Sequence, residues 1–413
     1  MRLLTVDTIE QAQDKMFAYI NYIQSKTEKI TLDNAFGRVI ALDAVSQENI
    51  PDFYRSTVDG YAVKASDTQG SSESIPTFLR IVEEVQMGKA STKTINSGEC
   101  AYVPTGGMVP QGADAMVMVE YTEVFDIDEV AIYQSTAKGK CVVVPGEDVK
   151  CGDVIVKKGT VLKAEHIGAL AAAGVWEIEV YVPWKVTIVS TGNELVQPYE
   201  KLGAGQVRDV NTWAIKALAQ QCGMCVVNCV QIKDNEQDFR SCLENAKLTS
   251  DIVLTSGGSS QGKADMTEAV MDEVCDEGTF THGLSIKPGK PTIIAFDKAS
   301  STLMVGLPGH PISALTVFQR LVVHLWAKAT YQPQQQPVVA KMETNLAGSP
   351  GKATHVMVKL YHDMENAGFI AKPVLGKSGL INTMVNTDGF VVIDMNKEGL
   401  KKGEAVLVYR WGV

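Results

Sequence analysis

The stretch from Asp251 to Ala314 constrains this chain more than any other. A short apolar strand, Ile252-Val253-Leu254, runs directly into Thr255-Ser256-Gly257-Gly258-Ser259-Ser260. A strand ending in glycines and hydroxyls can bring its backbone N–H groups close to an anion, because glycine has no Cβ to block the approach. A helix from Asp265 to about Glu277 follows. An anion cradle beside an early aspartate suits a phosphate bridged by a metal ion. Lys287-Pro288-Gly289-Lys290-Pro291 then sets two ammonium groups three residues apart on a backbone stiffened by two prolines. Gly306-Leu307-Pro308-Gly309-His310-Pro311 makes a second rigid turn before a helix near Ile312. Any one of these would be an ordinary connection between elements. Together, at the strand ends of one unit, they predict the rim of a site for a phosphate-bearing ligand.

The surrounding sequence supplies that unit. From Val186 a buried strand leads to Thr191-Gly192-Asn193-Glu194, then Arg208-Asp209-Val210-Asn211 opens a helix to Cys222. A strand at 225–230, a helix from about Asn235 to Ala246 and the strand at 252–254 complete an alternating series. That alternation predicts a mostly parallel sheet with helices on both faces. Glu194, Asp209, Asp234 and Asp265 fall at or just beyond strand ends. Singly, each could be a helix cap or turn residue; as a cluster beside Lys287 and Lys290 they fit Mg²⁺ and phosphate.

Before this unit, Ile9, Ala12, Met16, Ile20 and Ile23 mark an amphipathic helix. Asp59-Gly60 precedes a strand, and residues from about 75 to 145 carry short β-like runs without helical period, predicting a small all-β domain. Pro104-Thr105-Gly106-Gly107 is a polar turn within it, and Gly146-Glu147-Asp148 leads out to an Ala-rich helix expected to partner the N-terminal one. The β domain would then be an insertion in a split helical domain. After the Pro/Gln linker 331–337, strand-rich sequence to Val413 predicts a small β-barrel, with Gly376-Lys377-Ser378-Gly379 as its most polar loop. The expected division is 1–29 with 146–182 (split helical), 30–145 (β), 183–330 (α/β) and 331–413 (barrel).

At 413 residues the chain is too long for one core, and a net charge of −10 argues against a general nucleic-acid surface. No stretch approaches the roughly 20 apolar residues of a membrane span. The opening residues turn acidic and polar too soon for a secretory signal. The eight cysteines are expected to be reduced and buried, including Cys222 and Cys225, whose CxxC spacing would otherwise suggest zinc or redox chemistry. A cytoplasmic location follows as the expectation.

In order, VDGYAV, PTGG with GADAMVMVE, PGEDV, STGNEL, VRDVN, SGGSSQGKAD, KPGKP, GLPGHPISA and GKSGL cover nearly the whole chain. This series resembles the MoeA and gephyrin E-domain family, the enzymes that insert molybdenum into molybdopterin. The resemblance implies an α/β multidomain fold: a three-layer α/β molybdopterin-binding domain, an inserted all-β domain, a split helical domain and a C-terminal β-barrel, working as a homodimer. It implies a reaction in which adenylylated molybdopterin and molybdate give the molybdenum cofactor and AMP, with Mg²⁺ required. Lys287 and Lys290 would then hold oxyanions, and Glu194, Asp234 and Asp265 would carry or orient Mg²⁺, Asp234 also serving catalysis. Asp59, Thr105 and Asp148 would line the same cleft across the dimer, with Asp59 acting on a proton or the attacking oxygen. Thr191, Gly257, Gly258, Ser259, Pro308, Pro311 and Ser378 complete the implied substrate contacts. The preceding adenylyltransferase is a further implied partner; a nucleic acid or membrane is not.

The chain departs from the family pattern at three places. His310 stands where the family usually has Asn, Asp209-Val210-Asn211 replaces the usual DSN, and the barrel keeps Lys352 and His355 in place of the arginines often found there. A neutral His can donate one hydrogen bond as Asn does, but Lys lacks the bidentate fork of Arg. Two other functions compete: a non-catalytic molybdopterin-binding scaffold or carrier, and the adenylyltransferase that shares the α/β domain. VDGYAV and the barrel oppose the second. Turnover, rather than binding, separates the first. Nothing in the residues selects molybdate over tungstate.

Overall fold

The computed structural model describes residues 6–23, 26–257, 261–333, 335–364, 368–376, 378–379 and 381–412, with the backbone alone for 261–265. At its centre is a six-stranded sheet in the order Cys225–Ile232, Lys185–Thr191, Ile252–Ser256, Thr302–Leu307, Ile293–Asp297, Thr279–His282. The first four strands are parallel, and Ile293–Asp297 runs antiparallel to both of its neighbours. Ile252–Ser256 and Thr302–Leu307 are buried along their full length, as expected where helices cover both faces of a sheet. Alternate residues feed opposite cores. Ile252 and Leu254 pack with Ile215 and Leu218 of helix Asn211–Gln221, while Val253 packs with Phe239, Leu243 and Val270 of helices Glu236–Lys247 and Gln261–Val274. This is the expected three-layer arrangement.

Helix packing at the N-terminus departs from what the sequence suggests. Helix Ile9–Ala18 buries Ile9, Ala12 and Met16 in the same core as Trp184, Phe318 and Trp326 of the α/β unit. The Ala-rich helix Ala164–Ala172 instead joins Leu32, Ile40, Val156 and Ile178 in a separate core. The two helices are therefore not partners. The first has a three-residue apolar stripe that matches the wide face of the α/β unit, whereas the second buries only Leu170 and rests on a local strand pair. That pair is Ala44–Val45 against Val154–Val156, beside Thr27–Thr31 against Glu177–Tyr181. Leu32, Ala35, Ile40 and Ala44, given by sequence to the β unit, thus pack in this smaller core, while Val39 and Ala41 join the core of the α/β unit.

The inserted unit is a six-stranded sheet around Tyr61, Leu79, Val117 and Val130. At the C-terminus, Ala353–Asp363, Gly368–Pro373, Val338–Met342, Ala405–Arg410 and Gly389–Ile393 pair in sequence, and the last returns to the first, closing a five-stranded barrel without free edges. Ile286–Lys287 pairs in parallel with Ala353 and Thr354, so the α/β unit is hydrogen-bonded to the barrel beside Lys287. No helix among the described residues is long and apolar enough to cross a membrane.

Cys222 is buried at the end of helix Asn211–Gln221, followed by Gly223 with a positive φ of 80°. Burial pushes its thiol up to about 12. Cys225 and Cys229 are exposed, contrary to the expectation of burial, because their strand is the outermost of the sheet. All eight cysteines are free thiols.

Candidate active site

The parallel strands bring their carboxyl ends together: Ser190 lies level with Ser256, and Ser256 with Leu307. Above them opens a cavity of about 780 Å³. Thr191, Glu194, Asp209, Asn211, Ser256 and Gly257 line one side, and His310, Pro311, Gly379 and Ile381 the other. The carboxyl edge of an open α/β sheet is where such folds bind ligands.

Gly257 fixes the base of the cavity. Its φ is 129°, and a Cβ there would sit 2.1 Å from the carbonyl oxygen of Thr191. Only glycine lets the two strand ends approach this closely. Asn211 ties the walls together, its amide donating to Ser256 Oγ at 2.6 Å and to the Gly309 carbonyl at 2.9 Å. Its Oδ1 and Ser190 Oγ are buried at the cavity without a hydrogen-bond partner, the condition a bound ligand or water relieves. Asp209 accepts from the Thr212 N–H at 3.1 Å at the start of the helix, while Glu194 is exposed on the cavity wall.

Other candidate residues lie in neighbouring positions. Asp234 accepts from the Asn193 N–H at 3.2 Å, and its own N–H donates to Asn193 Oδ1 at 3.2 Å, which fastens the loop carrying Glu194. Pro308 is buried beneath the rim, and Pro311 opens the helix Pro311–Val317. His310 Nδ1 lies 2.9 Å from Ser378 Oγ of the barrel loop. His310 also borders a second cavity of about 490 Å³, shared with Lys287, Thr354, His355 and Ser378. Lys287 Nζ donates to Ser349 Oγ at 3.0 Å, while Lys290 is exposed and lines neither cavity. Gly258 and Ser259 lie outside the described residues, as does the side chain of Asp265.

Asp59 and Thr105 are brought together elsewhere, the Asp59 carboxylate accepting from the Thr105 N–H at 2.7 Å on the exposed surface of the inserted sheet. Asp148 is exposed at the exit from that sheet. None of the three lines either cavity. His355, which stands in the sequence only as a departure from the family's arginines, lines the second cavity. It is 4% exposed, neither ring nitrogen has a well-formed hydrogen bond, and burial, with help from Arg320, pushes its imidazole down to about 3.

Among the described residues no three His, Cys, Asp or Glu side chains are arranged to hold a metal ion by themselves. Glu194 and Asp209 nevertheless face one cavity, and Mg²⁺ is commonly held by one or two carboxylates plus substrate phosphates and water. The donor set fits that mode.

Three family descriptions match the chain in order. They are the MoeA N-terminal region (domain I and II) over residues 7–174, a probable molybdopterin binding domain over 187–328, and the MoeA C-terminal region (domain IV) over 339–411. The chain belongs to the MoeA family. The molybdopterin molybdenumtransferase of Haemophilus influenzae is 32% identical over 406 residues, 97% of this chain and 98% of the relative. Molybdopterin molybdenumtransferase 2 of Mycobacterium tuberculosis is 30% identical over 77% of this chain and 80% of its own. Two molybdopterin biosynthesis MoeA structures from Pyrococcus horikoshii match with TM-scores of 0.83 and 0.81. They are 33% and 28% identical, and cover 99% and 98% of this chain and 100% of their own. In this MoeA-family chain, the family's molybdopterin-binding region coincides with the unit that carries the 780 Å³ cavity.

Proposed function

We propose that this chain is a molybdopterin molybdenumtransferase of molybdenum cofactor biosynthesis, which takes adenylylated molybdopterin and molybdate and releases AMP. The observation that carries the reading is the cavity at the strand ends, where Gly257 leaves the backbone bare beside Thr191 and Glu194 and Asp209 face the same space. Thr191, Gly257 and the rim at Pro308 and Pro311 bind the phosphates, with Gly258 and Ser259 as further substrate contacts. Glu194, Asp234 and Asp265 would hold Mg²⁺, with Asp209 facing the same cavity as Glu194, and Asp234 also anchors the loop that carries Glu194. Bound there, Mg²⁺ would neutralise phosphate charge and favour cleavage of the P–O–P bond. Lys287 and Lys290 attract the oxyanion as point charges, with Ser378 at the barrel side. Asp59, Thr105 and Asp148 come from a second copy of the chain, the homodimer completing each site, and Asp59 handles the proton or attacking oxygen. We place the protein in the cytoplasm, receiving its substrate from the preceding adenylyltransferase; the free thiols are consistent with a reducing compartment.

A carrier that binds the ligand without turnover is the second reading, favoured by His310 and by Lys352 in place of the family's arginine. AMP release by the wild type separates the two, and Glu194→Ala tests the metal role. The variant should bind adenylylated molybdopterin measurably but release AMP at least tenfold more slowly with Mg²⁺ present. Unchanged AMP release would refute the metal role of Glu194.

A further inference from the structure

A cavity of about 760 Å³ lies away from the candidate site, between the end of helix Ile9–Ala18, the turn at Lys158 and the end of helix His324–Ala329. It shares no lining residue with the two cavities above. Lys26, Lys158 and Lys328 all face it, together with Phe17 and Tyr331. In a chain of net charge −10, three ammonium groups around one hollow are unusual, and none of them makes an ion pair among the described residues. Nearby carboxylates are engaged: Asp43 accepts from the Lys158 backbone N–H at 2.7 Å, and Glu179 accepts from the Thr27 hydroxyl. Lys158 Nζ lies 3.8 Å from the Tyr331 ring centroid and Lys328 Nζ 3.3 Å from that of Phe17. A cation resting on a ring keeps its N–H donors free for an anion.

Tyr331 is the independent observation. The helix closes through Gln332 N–H to the Ala327 carbonyl at 2.8 Å and Tyr331 N–H to the Lys328 carbonyl at 3.3 Å, the bond pair that surrounds a left-handed residue usually glycine. Here that residue is tyrosine, with φ 58° and 64% exposure. Its backbone is pressed against Gly159, where a Cβ would lie 2.0 Å from the Tyr331 carbonyl oxygen. A bulky side chain in this conformation is strained, and such strain concentrates where a side chain serves a ligand. The ring has Lys158 at one face, and its exposure leaves room for a partner to stack.

We propose that this cavity binds a phosphate monoester carrying a flat heterocycle, the nucleoside monophosphate class, with the phosphate on Lys26, Lys158 and Lys328 and the ring stacked on Tyr331. The site is independent of the active-site reading, and a variant of its lysines tells the two apart because it leaves every residue lining the active-site cavity unchanged. AMP is titrated calorimetrically into the full-length protein, with ribose 5-phosphate and adenosine as comparison arms. Wild type and Glu194→Ala should both show a binding phase that weakens at least tenfold in a Lys158→Gln/Lys328→Gln variant, whose changes are at exposed positions. Ribose 5-phosphate and adenosine should each bind at least tenfold more weakly than AMP. Tyr331→Gly should raise the melting temperature by relieving the backbone while weakening AMP at least fivefold. The proposal is overturned if the lysine variant binds AMP as wild type does, if AMP and ribose 5-phosphate bind equally, or if Tyr331→Gly lowers the melting temperature.

Discussion

Burying a histidine against Phe390 with no well-formed hydrogen bond is a costly choice for a barrel wall, and His355 makes it beside the cavity that holds Lys287. Its folded-state value is pushed down to about 3, burial first and Arg320 second. The unfolded chain titrates near the ordinary histidine value of about 6.5, so below that pH it takes up a proton that the folded chain refuses. The contribution of neutral His355 is therefore fully present above about pH 6.5 and is lost as pH falls toward 3, at up to about 1.4 kcal/mol per pH unit. In urea unfolding, His355→Phe should reduce the stability difference between pH 7 and pH 5 by about 2 kcal/mol. An unchanged difference would mean the imidazole is not held neutral. At this scale the sequence makes Thr191, Glu194 and Gly257 legible because strand-end chemistry is local. His355 is legible only as a departure from the family's arginines; its burial is not, since its surroundings come from Phe390 and Lys287, both distant in sequence. The bonds from Asn211 to Ser256 and Gly309 are hidden for the same reason.

Strand Cys225–Ile232 shows how an element can be identified and its environment misjudged. Its apolar run predicts a strand correctly, but burial depends on where the strand falls in the sheet order, which is set by tertiary pairing rather than by the run itself. As the outermost strand it exposes Cys225 and Cys229. Cys100, Cys222 and Cys275 are buried, and burial pushes each thiol up to about 12. Brief maleimide treatment of the native protein at pH 7, read by peptide mass spectrometry, should label Cys225, Cys229 and the exposed Cys151 and spare those three. Labelling of Cys222 before Cys225 would contradict this placement. The N-terminal helix teaches the same lesson: its apolar stripe is plain in sequence, but the surface that receives it is assembled from residues 184–326.

For the molecule as a whole, the order of units was legible because each changes the hydrophobic period, and the closed barrel and three-layer sheet follow that order. What sequence order cannot convey is which surfaces of one copy meet those of another. In a single chain Asp59 and Thr105 pair with each other, away from Glu194. If a symmetric dimer completes each site, co-expressed Asp59→Ala and Glu194→Ala chains should regain activity, since half the dimers are mixed and each mixed dimer holds one intact site of two, about a quarter of the wild-type rate. No recovery over either variant alone would mean that each chain works by itself.

The most direct measurement is AMP release from adenylylated molybdopterin by the purified protein with Mg²⁺, run with molybdate, with tungstate and with neither. A molybdenumtransferase predicts release that depends on the oxyanion and fails without it. Tight ligand binding with no AMP under any of the three conditions would contradict that account and leave a carrier.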